Sequence, residues 1–472
     1  MPMTTFQDAE GVDCIASGVA LLELTARLRD RLVSDHDGPG VLVRAELRVA
    51  PLAPLEWLHA QQNTSHYYWA SRDGQFEMAG IGEAHVLVPE SRVDLPGLFA
   101  QMRRCLSIEW PNLRYYGGFR FREVQEASGR WRNFKAYRFI APLVEIIRCD
   151  QKYWLACTVR KGTPEADAEA LLGIEALARQ WGGHENPPRC FLPPLSGRVD
   201  LPDRQGWNTL IDSALEALAG HEMEKVVLAR ETEFQFDTTE PLDAVGMLRR
   251  LVAHSAQAYF FCFHPKPDRA FLGASPERLY HRNNVYLQSE ALAGTRPRGA
   301  TPDEDAALGE ELLGDDKELR EHRFVVRMLR ENFGRLCSSM SYDLAPSLML
   351  LRKVQHLHSY IEGILKNHDA DAALIEAFHP TPAVGGAPRH KALAWLAAHE
   401  PFDRGVYAAP VGWVGFDDAE FCVGIRSGLI EGNTLALYSG AGIVPGSSAA
   451  AEWEEIEAKM SSFLEALYDE SA

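Results

Sequence analysis

The sequence predicts an α+β fold built on large antiparallel sheets. Three observations carry that expectation. The N-terminal half holds hairpin-like stretches, the C-terminal half mixes strands with helices, and nowhere does the regular strand–helix alternation of a doubly wound parallel sheet appear.

The elements follow in chain order. Residues 16–32 have helical character, and VLVRAELRV (41–49) and HVLV (85–88) are strand-like runs. YYWASRDGQFEMAGIGEA (67–84) reads as strand, turn, strand, with Asp73-Gly74 as the hairpin signal. A second hairpin-like stretch joins RYYGGFRF (114–121) to RFIAPLVEIIR (138–148), with Ser128-Gly129 in the turn. The Pro-rich passage ENPPRCFLPPLSGRVDLP (185–202) reads either as a connector or as a long surface loop inside one domain. It separates an N-terminal α+β half, 1–184, from a second region, 205–472. There, KVVLAR (225–230), AYFFCF (258–263) and VYLQSEAL (285–292) are strands, and 315–334 and 449–468 are helices.

Of 472 residues, 46% are hydrophobic and 24% charged, the composition of a soluble globular enzyme able to bury a large core. Length alone would suggest about three domains. Cys14, Cys105, Cys149, Cys157, Cys190, Cys262, Cys337 and Cys422 are scattered without a CxxC pair, which points to a reduced, cytosolic chain. The N-terminus has neither a basic nor an apolar signal region, and no apolar run approaches the ~20 residues of a membrane helix. A cytoplasmic protein is expected. The net charge of -18 argues against nucleic acid and anionic membranes as partners. It also sets a condition: an anionic substrate can enter only where local lysine, arginine or metal overturns that field.

Some familiar signatures are excluded. GAGIVPG (440–446) lacks the glycine spacing of a dinucleotide loop, and no GxxxxGK[ST] or HExxH motif occurs. His356 and His358 have no third metal ligand in register and read as core or hydrogen-bonding residues. More informative are two acidic helix faces. Glu318 and Glu321 lie at i, i+3; Glu452, Glu455 and Lys459 lie at i, i+3, i+7. Each could be a solvated, salt-bridged surface; facing each other, they could offer carboxylates to a hard divalent cation. Lys225 and Glu290 are charges within apolar strands, costly if buried without a partner or a task. A strand-end lysine reaching outward and a glutamate on a polar face are the commoner explanation of such a pattern.

In order along the chain stand KVVLAR, FLGASPERL (271–279), EALAGTRPRG (290–299), DKELREH (316–322), VQHL (354–357), HPTPAVGGAP (379–388), VGWVGFDDAEFCVGIRS (411–427) and SGAGIVPGSS…EWEEIEAK (439–459). Together they resemble the chorismate-utilising enzymes, which include the anthranilate, aminodeoxychorismate, isochorismate and salicylate synthases. YYWASRDGQFEMAGIG resembles a stretch of the menaquinone-type isochorismate synthases. The resemblance implies two large antiparallel sheets with helices packed outside, the halves intertwined in one domain, and a magnesium cofactor. Residue by residue, Lys225 takes the place of the lysine that activates water for attack at C2 of chorismate. Glu290 takes the place of the acid that protonates the departing C4 hydroxyl. Glu321 and Glu455 match the metal-coordinating glutamates, with Glu318 and Glu452 as nearby carboxylates. Tyr407 and Arg426 match residues for the enolpyruvyl carboxylate, helped by backbone amides of Gly440, Ala441 and Gly442 and by Lys459. His356 matches a histidine close to the ring.

On that scheme the metal, Arg426 and Lys459 supply the cations that the net charge requires. Lys225 must be partly neutral near pH 7, and Glu290 must stay protonated, so an apolar setting should raise its pKa. Within the family, the lysine at 225 suits water rather than ammonia as nucleophile. Ala293 and Ala383 depart from the aminodeoxychorismate and anthranilate patterns, and no glutamine amidotransferase subunit is expected. The expected activity is conversion of chorismate to isochorismate. The alternatives are salicylate formation by further loss of pyruvate, and a non-catalytic chorismate-binding protein.

Overall fold

The computed structural model describes residues 5–7, 13–15, 17–34, 40–61, 65–89, 93–122, 129–180, 192–255, 257–351 and 354–468. Among them every strand pairing is antiparallel, and two large sheets result. The first runs in the order Leu195–Leu201, Lys225–Phe236, Thr434–Ile443, Ser427–Glu431, Arg269–Ser275, Tyr259–Lys266, His66–Ala70, Phe76–Leu87, Tyr137–Cys149, Lys152–Arg160, Leu42–Arg48. The second runs Tyr115–Phe119, Pro410–Val414, Asp418–Val423, Arg278–Asn283, Tyr286–Pro297, Val354–Leu365, with Cys337–Tyr342 and Ser347–Leu350 beyond. Tyr137–Cys149 pairs with Phe76–Leu87 and with Tyr115–Phe119, and so joins the two. The α+β class, with antiparallel sheets and helices outside, is the one the sequence predicts.

The central strands His66–Ala70 and Tyr259–Lys266 of the first sheet are buried on both faces because both faces are covered. Tyr67, Trp69, Phe261 and Phe263 enter a core that also holds Tyr280 and Phe421 of the second sheet. Their alternates Tyr68, Ala70, Phe260 and Cys262 enter a second core with Leu248 and Leu467 of the outer helices. The period of two thus distributes one continuous apolar run between two layers. Between the sheets, Phe119 meets Phe139 edge-on at 5.1 Å and Phe139 meets Phe421 edge-on at 6.2 Å; such pairs add roughly 0.5–1.5 kcal/mol beyond area burial. Outside, Ala244–His254 buries Val245, Met247, Leu248 and Leu251, and the carboxylate of Asp243 caps it by accepting from the Gly246 N–H.

The predicted hairpin over 67–84 is present as His66–Ala70 and Phe76–Leu87, with Gly74 at φ 69° in the turn. The opening helix is Ser17–Ser34, and the two helices of the second region are Asp316–Leu336 and Ala449–Tyr468. Gly129 opens a short 3-10 turn, whereas Ser128 lies outside the described residues, as do Cys190 and the first part of the Pro-rich passage. The rest of that passage is not loop: Leu195–Leu201 forms an edge strand on Lys225–Phe236. Prolines at 193, 194 and 202 bracket it and hide a short strand with an exposed face from a pattern search. His66–Ala70 pairs with Tyr259–Lys266, and Tyr115–Phe119 with Pro410–Val414, so strands from both sides of the passage share each sheet. Among the described residues no helix is long and apolar enough to cross a membrane.

Candidate active site

The chain steps between the sheets twice at one place. Pro276 and Glu277 connect Arg269–Ser275 of the first sheet to Arg278–Asn283 of the second; residues 424–426 connect Asp418–Val423 of the second to Ser427–Glu431 of the first. The two crossovers are tied together. The Ala274 N–H donates to the Arg426 carbonyl and the Val423 N–H to the Glu277 carbonyl, both at 3.0 Å, and Ser275 Oγ donates to the Val423 carbonyl at 2.6 Å. Arg426 holds φ at 51°, the left-handed region that a side chain resists. A cavity of about 150 Å³ opens beside this junction, lined by Glu277 and Arg426 among others.

Lys225 begins the strand Lys225–Phe236, and the period of two turns Lys225 and Val227 to the cavity. Lys225 is buried, and its Nζ donates to Glu321 Oε2 at 3.1 Å. Val227 and Ala229 pair with Gly442 and Gly440. A Cβ at Gly442 would stand 2.9 Å from Glu321 Oε2 and 3.0 Å from Lys225 Cε, so any larger residue here would push these two side chains aside. Ala441 is on the other face, with its side chain buried in the core and away from the cavity lining.

The expected acid is also corrected. Glu290 is buried but does not line the cavity. Arg72 holds its carboxylate by a fork, Nη1 to Oε1 at 2.5 Å and Nη2 to Oε2 at 2.8 Å. His358 Nε2 adds a contact at 3.2 Å and the Arg278 N–H another at 3.0 Å. Burial opposes its charge, yet the hydrogen bonds from His358 and Arg72 hold the pKa down at about 2, opposite to what a proton donor requires. The carboxyl with the required property is Glu277. Burial, with the charge of Glu290 adding to it against Lys225, pushes its pKa up to about 8. That difference from an ordinary glutamate corresponds to roughly 5 kcal/mol against ionisation.

The helix Asp316–Leu336 starts on the carboxylate of Asp315, which accepts from the Lys317 and Glu318 N–H groups, and this sets Lys317, Glu318 and Glu321 along the cavity. Glu455 and Lys459 face them from Ala449–Tyr468, where Lys459 Nζ lies 2.6 Å from Glu455 Oε1 and 2.9 Å from the Gly440 carbonyl. Lys317 Nζ reaches Glu452 Oε1 at 3.4 Å and so bridges the two helices. Glu452 is buried beneath the lining rather than in it.

No three metal-ligating side chains cluster among the described residues. Magnesium needs only one or two carboxylates and keeps its waters, and the carboxylates here are crowded enough to want a cation. Burial and the charge of Glu321 raise the pKa of Glu318. Burial raises that of Glu452, with Glu455 and Glu321 adding to it against Lys317. Lys459 holds Glu455 below the usual range. A Cβ at Gly294 would come within 3.2 Å of Glu318 Oε2, a second cradle kept open by glycine. The donor set fits a hard divalent ion held by Glu321 and Glu455.

His356, Tyr407, Arg426 and Lys459 all line the cavity as expected. His356 Nδ1 lies 3.1 Å from the Gly294 carbonyl, which only accepts, so Nδ1 carries the proton; Thr295 Oγ1 shares it at 2.9 Å. Burial, then the charge of Arg426, lowers the imidazole pKa to about 3 and keeps it neutral. Nε2, buried and without a hydrogen-bond partner among the described residues, is left as an acceptor. Burial raises the Tyr407 phenol to about 12 and lowers the Arg426 guanidinium. The sequence reading missed Glu277, Lys317 and Thr295. Glu277 lay inside the motif FLGASPERL, where a glutamate straight after a Ser-Pro step between two apolar runs was the available signal.

The chorismate binding enzyme family model matches residues 28–468. The chain is 33% identical over 457 residues to isochorismate synthase 2, chloroplastic, of Arabidopsis thaliana, covering 89% of this chain and 79% of that one. It is 32% identical over 455 residues to the isochorismate synthase MenF of Bacillus subtilis, covering 90% and 93%. Among solved structures it is similar to MenF, the menaquinone-specific isochorismate synthase of Escherichia coli. That likeness has a TM-score of 0.81 and 30% identity, covering 95% of this chain and 100% of that one.

Proposed function

The chain belongs to the chorismate-binding enzymes, and on that premise we propose that it is an isochorismate synthase that adds water at C2 of chorismate while the C4 hydroxyl leaves. The observation that carries this reading is the pairing of Lys225 and Glu277 on one cavity, an amine on a strand end opposite a carboxyl kept protonated by its surroundings. Lys225 takes a proton from water as its oxygen bonds to C2, the ring double bonds shift, and Glu277 gives its proton to the C4 oxygen, which departs as water. Solvent exchange then restores both groups. Arg426, Lys459 and Tyr407 bind carboxylate, and the His356 Nε2 lone pair accepts from a substrate hydroxyl. Glu321 and Glu455 would hold magnesium, with Glu318 and Glu452 beside them; when bound, the ion supplies positive charge for the ring carboxylate of the substrate. Each step is a proton transfer on a clamped ring, so orientation supplies much of the acceleration. Water as nucleophile needs no ammonia-delivering subunit.

The test is product analysis by NMR with chorismate and magnesium for the native chain, Lys225→Ala and Glu277→Gln. The native chain should give isochorismate without pyruvate. Each variant should retain substrate binding and lose about 10²-fold or more in turnover. Native rates in either variant would remove that residue from the mechanism, and pyruvate release would replace the reaction with salicylate formation.

A further inference from the structure

We propose that Glu290 is a positioning residue for Glu277, and that Arg72, delivered by the N-terminal hairpin, holds it in that role. The inference rests on the reading of Glu277 as proton donor. Its basis is how the crossover is anchored. Arg72 Nη1 donates to Glu290 Oε1 at 2.5 Å and also to the Pro276 carbonyl at 2.6 Å. Glu290 Oε1 accepts from the Arg278 N–H at 3.0 Å. The carbonyl before Glu277 and the amide after it are therefore fastened to one buried ion pair. Neither peptide can rotate to swing the Glu277 carboxyl out of the cavity without breaking a charge-assisted hydrogen bond.

Arg72 stands immediately before the Asp73-Gly74 turn, and its guanidinium lies 5.5 Å from the centre of the Tyr259 ring. The hairpin thereby reaches the site through an arginine that does not line the cavity.

The same pair sets the charge around the donor. Glu290, Lys225, Tyr407 and Cys422 are the titratable groups whose charges act on Glu277; Arg72, His358 and Arg278 act on Glu290 in turn. With Glu290 ionised, a second negative charge at Glu277 is disfavoured, so two neighbouring carboxyls are driven to opposite protonation states. This gives Glu290 a task that packing alone would not need.

The experiment is the pH profile of kcat for the native enzyme with magnesium and chorismate, compared with Glu290→Gln, Arg72→Lys and Glu277→Gln. A protonated donor is required, so kcat falls as pH rises through the donor pKa. Glu290→Gln removes the neighbouring charge and should move that basic limb down by on the order of one pH unit, with KM unchanged. Arg72→Lys keeps the charge but cannot span both acceptors; it should lower kcat about tenfold or more through misplacement and leave the limb where it was. An unmoved limb in folded Glu290→Gln overturns the proposal. If that variant does not fold, Arg72→Lys decides alone, and native kcat there overturns it. Failure of the donor reading itself is separate: it shows as native kcat in Glu277→Gln.

Discussion

Glu277 and Glu290 show how little a residue's identity says about its charge. Both are buried glutamates, Glu277 lining the cavity and Glu290 behind it, yet one is held near pKa 8 and the other near 2. Glu290 meets an arginine fork, a histidine and a backbone amide; Glu277 meets burial and the charge of Glu290, opposed by Lys225. The donor form of Glu277 is present below its pKa and lost above it. The kcat profile of the native enzyme should therefore fall on a basic limb centred near 8, measured with saturating chorismate and magnesium. A fall centred near pH 4 would mean an ordinary carboxyl is the donor. The family resemblance gave the acid's place to Glu290, whereas the strand pattern alone left it open between a glutamate on a polar face and one with a task. Arg72, which neutralises it, is remote in sequence and invisible to any local pattern.

At the scale of elements, regular periodicity located what regular elements carry. The apolar run located the strand that Lys225 opens, and the i, i+3 spacing put Glu318 with Glu321, and Glu452 with Glu455, each pair on one face of its helix. It could not place the crossovers, since a step of two or three residues between sheets has no period. That is why Glu277 went unnoticed and why the turn at Arg426 is legible only in its φ of 51°. The glycines of Thr434–Ile443 lead to a further expectation. Gly442→Ala puts a methyl 2.9 Å from Glu321 Oε2 and 3.0 Å from Lys225 Cε. It should leave thermal unfolding within a few degrees of native, since a ~1 kcal/mol change moves a chain of this size only that far, while turnover drops about tenfold or more. Native turnover in that variant would show that the contact between strand and helix can open freely.

At the scale of the molecule, the two halves separated by the Pro-rich passage are interleaved: each sheet takes strands from both, and the hairpin of the first half reaches the acid of the second. Composition and motif order were enough to predict the class of fold, because antiparallel hairpins leave local turn signals; pairing across hundreds of residues leaves none. The net charge of -18 set the requirement that cations gather wherever an anion binds, and Lys317, Arg426 and Lys459 do gather on one cavity. The central claim is that solvent water enters at C2 while the C4 oxygen leaves. Turnover of chorismate with magnesium in heavy-oxygen water, followed by NMR and mass spectrometry, tests it directly. The account predicts isochorismate carrying the heavy oxygen at C2 and no pyruvate; unlabelled isochorismate, or salicylate with pyruvate, would contradict it.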